Sequence, residues 1–235
     1  MFNPNPRIEV VDIPGQKPCL VVDDFLIDPD LMVDAAVRYR DGFSAAPFNA
    51  YPGIEMPAPE ALSARLDEFF GQHVRHLLGV RRTVQMHSRL SIVTLQPPQL
   101  QPLQRICHRD RLDITADQCV AASVLYLFKD AALGGTSFYA PRQGLDQTNA
   151  LIAAWNRMDQ QAMTQALGAE PGYLTGSNAY FDLLATVPAK FNRIIFYDGA
   201  MFHSSHVTRP DLLSDAPDLG RLTLNGFFVC RKAAA

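Results

Sequence analysis

The run TVQMHSRLSIVTL at residues 83–95 decides the fold, because the helical spacing of apolar residues that precedes it ends here. Further β-rich runs follow, separated by Gly, Pro and Asp: CVAASVLYLF at 119–128, GTSFYA at 135–140, RIIFYDG at 193–199, AMFHSSHV at 200–207 and RLTLNGFFV at 221–229. β-branched and aromatic residues favour strands, and short strands at this spacing are typical of a barrel or jelly roll. The sequence therefore predicts a mainly β core.

The residues before this run predict one strand and two helices. CLVVDDFL at 19–26 has strand character, and Asp28 and Pro29 supply an N-cap and a first-turn proline for a helix ending near Gly42. A second helix is predicted from Pro59 to Gly79. Its apolar residues recur at intervals of three and four and form one buried stripe: Leu62, Leu66, Phe69, Phe70, Val74 and Leu77.

One segment between predicted strands, residues 144–170, is rich in helix formers. We interpret it as a helical insertion, which either shapes a binding mouth or covers a sheet edge. Trp155 within it could stack on a substrate, but an aromatic residue in an amphipathic helix is usually core, and we assign it to the core.

The chain length of 235 residues and the hydrophobic fraction of 48% allow one sizeable core. We expect a single domain over residues 1–235. In it, residues 1–82 would supply a strand and helices that pack on a barrel formed by residues 83–235. The four cysteines form no CxxC pair, so we expect reduced, mostly buried thiols.

The formal charge of −3 gives no general attraction to nucleic acid or to an anionic membrane. We interpret the basic cluster of Arg75, Arg81, Arg82 and Arg89 as a solvated helix end. The first residues do not resemble a secretory signal, and charges or prolines interrupt every apolar stretch short of the roughly 18 residues that span a bilayer. We therefore expect a cytoplasmic protein without nucleic-acid or membrane partners.

His108 and Asp110 stand two apart in QRICHRD at 104–110, in a segment expected to be extended. Side chains at i and i+2 of a strand share a face, so an imidazole nitrogen and a carboxylate oxygen can reach one ion. They would supply two ligands of a two-histidine, one-carboxylate site, the kind that binds non-haem Fe(II).

A third ligand is expected from FYDGAMFHSSHV at 196–207, which predicts a strand, a tight Asp-Gly turn and a second strand. Strand alternation puts His203 and His206 on opposite faces, so only one of them can join the pair. We choose His203, and His206 remains the alternative.

Polar residues also share one face of the last strand, where Arg221, Thr223 and Asn225 alternate with Leu222 and Leu224. An arginine fork binds both oxygens of a carboxylate, and a threonine hydroxyl can add a donor. The alternative is an exposed sheet face with a surface ion pair.

The order of these parts resembles the Fe(II)- and 2-oxoglutarate-dependent oxygenase superfamily, and in particular its prolyl-hydroxylase-like branch. LVVDDFLIDPDLMVDAA looks like the branch's first strand and helix, HRD at 108–110 like its metal motif, VLYLF and GGTSFY like its second strand pair, YDGAMFH like its distal-histidine segment, and RLTLNGFF like its co-substrate arginine segment. The resemblance implies a double-stranded β-helix core, that is, a cupin-like jelly roll with flanking helices.

The resemblance also implies roles for named residues. His108, Asp110 and His203 would bind Fe(II), Arg221 would bind the distal carboxylate of 2-oxoglutarate, and Thr223 and Tyr126 would offer hydroxyl groups near that carboxylate. Hydroxylation of a small molecule or peptide would consume O2 and release succinate and CO2. Ser205 or Asn225 could orient the imidazoles. Contacts to the substrate would come from the loop at Arg142 and Gln143, the insertion, and residues 205–220.

Two alternatives keep the fold but change the chemistry. The protein could be a metal-binding jelly-roll module without turnover, or a cupin-like metalloenzyme that does not use 2-oxoglutarate.

Overall fold

Two antiparallel sheets form the centre of the computed structural model, which describes residues 2–45, 51–110 and 114–233. Its strands are β1 (Ile8–Val11), β2 (Cys19–Val22), β3 (Ser44–Ala45), β4 (Gly53–Pro57), β5 (Val80–Val93), β6 (Gln118–Tyr126), β7 (Thr136–Pro141), β8 (Phe181–Val187), β9 (Ile194–Asp198), β10 (Phe202–Ser205) and β11 (Arg221–Lys232). The large sheet has the order β1-β2-β9-β6-β11-β5-β4-β3, and the small sheet has the order β10-β7-β8. The mainly β, jelly-roll prediction is confirmed.

Helices cover the outer face of the large sheet. They are α1 (Asp30–Arg38) and α2 (Glu60–Phe69), and α2 continues as a π-helical turn through Val74. Leu222, Leu224 and Phe228 of β11 pack with helix residues in this layer, among them Val33 and Leu66. The predicted stripe of the second helix forms except at its end, because Leu77 is 39% exposed.

The helical insertion is present as two helices, α3 (Leu145–Trp155) and α4 (Gln160–Leu167). They pack on the outer face of the small sheet, where Trp155 and Met163 meet Tyr139, Phe181 and Phe202. Trp155 is buried, as expected for a core residue. A third cluster fills the space between the sheets, with Tyr126, Phe138, Val187, Ile195 and Tyr197 among its members.

The N-terminal part differs from the prediction of one strand and two helices. It supplies β1, β2, β3 and β4, all of which join the large sheet, and β5 begins at Val80, before the predicted boundary at residue 83. β4 was missed because it is short and lies between prolines, and its pairing with β5 holds it extended.

None of the helices in the described part of the chain has the length and apolarity to span a membrane.

Candidate metal centre

The segment that carries His108 and Asp110 lies beside β10 as a short antiparallel partner. The His108 N–H donates to the His203 carbonyl at 2.9 Å, and the His203 N–H donates to the His108 carbonyl at 2.8 Å. The Asp110 N–H donates to the carbonyl of Gly199, in the turn between β9 and β10, at 2.8 Å. These backbone bonds bring together side chains that are far apart in the sequence.

Three side chains, those of His108, Asp110 and His203, form one cluster. Each offers a ligand atom, and these atoms lie within 4.8 Å of one another. His108 Nε2 is 3.9 Å from Asp110 Oδ1, and His203 Nε2 is 3.8 Å from Asp110 Oδ2. The cluster lines a cavity of about 700 Å³ between the sheets.

The tautomer of His203 is fixed by its backbone contact. Its Nδ1 lies 2.9 Å from the carbonyl oxygen of Met201. A carbonyl oxygen can only accept, so Nδ1 carries the proton and Nε2 keeps a lone pair on the side of Asp110. The Met201 carbonyl thus orients this imidazole, whereas Asn225, one expected orienting residue, bonds to Ser91 instead.

The charges of the cluster suit a cation. Burial raises the pKa of Asp110 to about 6, although His108 and Arg89 act in the opposite direction. Burial lowers the pKa of His203 to about 4. Among the residues that the structure describes, Asp110 Oδ2 is buried and has no hydrogen-bond partner. Two neutral imidazoles and an unsatisfied carboxylate oxygen are the donors that a divalent transition metal uses.

His206 lies apart from this cluster. It follows β10, and its Nδ1 is 2.8 Å from Ser137 Oγ, whose hydroxyl also contacts Thr186. His203 lines the cavity and His206 does not. The geometry therefore groups His203, rather than His206, with His108 and Asp110.

Arg221 lies on the cavity wall and is only 2% exposed. Its Nε donates to the Leu133 carbonyl at 3.1 Å, and its Nη2 donates to the Gly135 carbonyl at 2.7 Å. No ion pair joins it to a carboxylate within residues 2–45, 51–110 and 114–233. A buried guanidinium held only by neutral acceptors is suited to an anionic ligand.

Hydroxyl groups surround Arg221. Thr223 lines the cavity on the same strand face. The Tyr126 hydroxyl lies 2.8 Å from Thr136 Oγ1, so Tyr126 stands behind the wall that Thr136 forms. Sequence reasoning missed further wall tyrosines, among them Tyr51 and Tyr173. They lie in segments without a strand or helix pattern, so no periodic signal marks them.

The predicted substrate segments are partly placed at the cavity. Arg142 and Gln143 lie outside its wall, and Ser205 is the member of 205–220 that lines it. The insertion contributes Ile152 and Ala153 of α3 and Asn156, which directly follows α3.

The interpretation of Arg75, Arg81, Arg82 and Arg89 as a solvated helix end is wrong for three of them, because β5 contains Arg81, Arg82 and Arg89. Arg89 lies within β5, with its side chain 22% exposed and its Nε 2.7 Å from Glu55 Oε1, and it lines the cavity.

The fold and site define a two-sheet jelly roll with a two-histidine, one-carboxylate cluster in its cavity. The chain belongs to the family described as "Family of unknown function (DUF6445)", whose model matches residues 4–228. No curated protein matches the sequence.

Several solved structures are similar to this chain. The non-heme alpha ketoglutarate dependent epimerase SnoN from nogalamycin biosynthesis is 10% identical, with a TM-score of 0.49 over 92% of this chain and 80% of that chain. The non-heme alpha ketoglutarate dependent carbocyclase SnoK from nogalamycin biosynthesis is 13% identical, with a TM-score of 0.49. The match covers 93% of this chain and 80% of SnoK. HygX from Streptomyces hygroscopicus, with nickel and 2-oxoglutarate bound, is 10% identical, with a TM-score of 0.47. The match covers 92% of this chain and 83% of HygX.

Proposed function

We propose that this protein is a non-haem Fe(II)- and 2-oxoglutarate-dependent oxygenase that hydroxylates a small molecule or peptide in the cytoplasm. One observation carries the proposal: the cavity that contains the His108, Asp110 and His203 cluster also contains a buried arginine, Arg221, whose guanidinium donates to two neutral carbonyls. The motif order that resembles the prolyl-hydroxylase-like branch supports the same assignment.

The residues of the cluster fit Fe(II). His108, Asp110 and His203 would hold it through two imidazole nitrogens and one carboxylate oxygen, a set that leaves other coordination positions open. When bound, Fe(II) with 2-oxoglutarate supplies an oxidant for a substrate C–H bond, at the expense of O2 and with release of succinate and CO2.

Arg221 would bind the distal carboxylate of 2-oxoglutarate. Its guanidinium is fixed by the carbonyls of Leu133 and Gly135, so little side-chain entropy remains to be lost on binding. Thr223 would donate its hydroxyl to the same carboxylate, and Tyr126 would support this end of the cavity through Thr136.

Much of the remaining cavity wall is apolar. Ile106, Val124, Ile152 and Phe202 supply apolar surface around the cluster, and α3 contributes one side of the cavity. This apolar surface could contact the non-polar part of a substrate.

An anaerobic titration tests the proposal. Fe(II) and 2-oxoglutarate are added to metal-free protein, and the weak visible charge-transfer band of a chelated keto acid is recorded. We expect the band in the wild type and its loss at the same 2-oxoglutarate concentration in Arg221→Met. The matched control, Arg75→Met, removes an arginine whose Nε bonds to the Gly71 carbonyl outside the cavity, and it should keep the band.

Iron binding without the band would contradict the use of 2-oxoglutarate. That result would instead support a metal-binding module or a cupin-like enzyme.

A further inference from the structure

A second arginine, Arg89, lies on the cavity wall, separate from Arg221. The two arginines share the cavity-facing side of the large sheet, where Arg221 pairs with Val93 and Arg89 pairs with Asn225. Four residues of extended strand separate the two pairs, which is roughly 13 Å along the sheet. Arg89 therefore occupies a part of the cavity other than the part that Arg221 would use for 2-oxoglutarate.

The guanidinium of Arg89 is fixed on two sides. Its Nε is 2.7 Å from Oε1 of Glu55, which is 6% exposed. Its Cζ lies 4.6 Å from the ring centroid of Phe227 on β11. A guanidinium has five N–H donors in one plane, more than a single carboxylate oxygen can accept. Arg89 can therefore bind a second acid while it remains paired with Glu55.

A polar chain behind Arg89 holds Glu55 in place. Asn225 Nδ2 donates to Ser91 Oγ at 3.0 Å, and the Ser91 hydroxyl donates to Glu55 Oε1 at 3.4 Å. Supporting hydrogen bonds of this kind pre-organise a binding residue, here Arg89, for its ligand.

Arg89 is also close to the metal cluster. Arg89 lines the same cavity as all three cluster residues, His108, Asp110 and His203. A ligand group bound to Arg89 would thus leave the rest of that ligand near the cluster.

The cavity that Arg89 lines also has a large apolar surface. The apolar side chains that line it come from several elements: Leu103, Ile106, Ala122, Val124, Ile152 and Leu174. The ring of His87 stacks on Phe227 with centroids 5.0 Å apart and extends this surface beyond Arg89. A cavity of about 700 Å³ has room for a substrate body besides 2-oxoglutarate.

We propose that Arg89 binds the acidic group of the substrate, so that the substrate is an organic acid with an apolar body. This inference rests on the proposed function, because it assigns 2-oxoglutarate to Arg221 and the substrate acid to Arg89. Glu55 is a positioning residue that orients the guanidinium.

The test uses full-length protein loaded with Ni(II) and saturating 2-oxoglutarate, so that the metal and co-substrate positions are filled and no turnover occurs. The probes are straight-chain carboxylates from hexanoate to decanoate and the matching primary amides, and their affinities are measured by calorimetry. We expect at least one acid to bind the wild type about tenfold more tightly than its amide, as a charge-assisted hydrogen bond provides. Arg89→Met should abolish this preference, and the matched control Arg75→Met should keep it.

A second variant serves if Arg89→Met fails to fold. Arg89→Lys keeps the charge and loses the planar fork, so the acid preference should fall severalfold without disappearing. An unchanged preference in Arg89→Lys, when Arg89→Met is unfolded, would overturn the proposal.

Other outcomes are equally decisive. The inference is overturned if the wild type binds every amide as tightly as its acid, or if Arg89→Met retains the preference. It is also overturned if Arg89→Met weakens 2-oxoglutarate as much as Arg221→Met does, since Arg89 would then belong to the co-substrate site. Failure of the oxygenase proposal is seen separately, as absence of the charge-transfer band in wild-type protein with iron.

Discussion

His203 and His206 are three residues apart, yet their surroundings differ. His203 lines the cavity with its Nδ1 against the Met201 carbonyl, whereas the Nδ1 of His206 contacts Ser137 outside it. Strand alternation predicts from the sequence only that the two side chains lie on opposite faces, and it leaves open which of them joins His108 and Asp110.

The variants His203→Ala and His206→Ala should therefore differ in metal affinity. We expect His203→Ala to weaken Ni(II) binding by roughly a hundredfold or more, since it removes a nitrogen donor from the cluster. His206→Ala should remain within about twofold of the wild type, because its ring contacts Ser137 rather than the cluster. Competition titration against a coloured chelator measures both, and a larger loss in His206→Ala would refute the choice of His203.

The positions of Arg89 and Tyr51 in the cavity could not be predicted from the sequence. His108 and Asp110 could be found because their spacing of two is a local strand signal. The pairing of Arg89 with Glu55 is made across β4 and β5, and it depends on a strand register that no local pattern defines. Tyr51 likewise reaches the cavity only through the tertiary fold.

Among the elements, most strands of the core were predicted, whereas the short strands β1, β3 and β4 and the core strand β8 were not. The sequence of β8, FDLLATV, contains Leu and Ala, which favour helices, and its extended form is imposed by pairing with β7. The insertion was predicted because composition alone indicates helices. The way in which the insertion is attached could not be predicted. The buried guanidinium of Arg105 donates to the Thr164 hydroxyl within α4 and to the Ala169 carbonyl just after it.

The turn between β9 and β10 positions Asp110, and Gly199 within it tests this role. A Cβ at residue 199 would lie 2.9 Å from Asp110 Oδ2 and 3.1 Å from Val120 Cγ1. Gly199→Ala should therefore displace the carboxylate and weaken Ni(II) binding by about tenfold, a loss of the size seen when supporting groups are disturbed. Calorimetry on folded protein measures the loss.

The control for this substitution is Gly176→Ala, where a Cβ would meet nothing within 4 Å. It should bind Ni(II) as the wild type does. Equal affinity in the two variants would show that the carboxylate does not depend on the turn.

On the scale of the whole molecule, a bound cation would join the segment at 108–110 to β10 and stabilise the folded chain by mass action. The size of this stabilisation should depend on pH through Asp110. Its pKa in the metal-free fold is raised by burial from 3.8 to about 6, so this group favours folding below its ordinary pKa and loses that contribution as pH rises through about 6.

The direction of the pH effect on metal binding follows from the same shift. Below about pH 6 the carboxyl carries a proton that a cation must displace, whereas burial keeps the pKa of His203 at about 4 and the ring neutral from pH 5 to 7. One proton should therefore be released at pH 5, and affinity should fall about tenfold from pH 7 to pH 5. With Ni(II) at a hundred times its Kd at pH 7, stabilisation of about 2.7 kcal/mol would fall by roughly half at pH 5.

Melting temperatures with and without Ni(II) at pH 5, 6 and 7 test this expectation. The rise caused by Ni(II) should be greatest at pH 7 and about half as large at pH 5. Asp110→Asn should remove most of the rise and its dependence on pH, because the amide neither titrates nor offers an anionic ligand. An equal rise at all three pH values would mean that the metal does not displace a proton from Asp110. Asp110 would then not be a metal ligand.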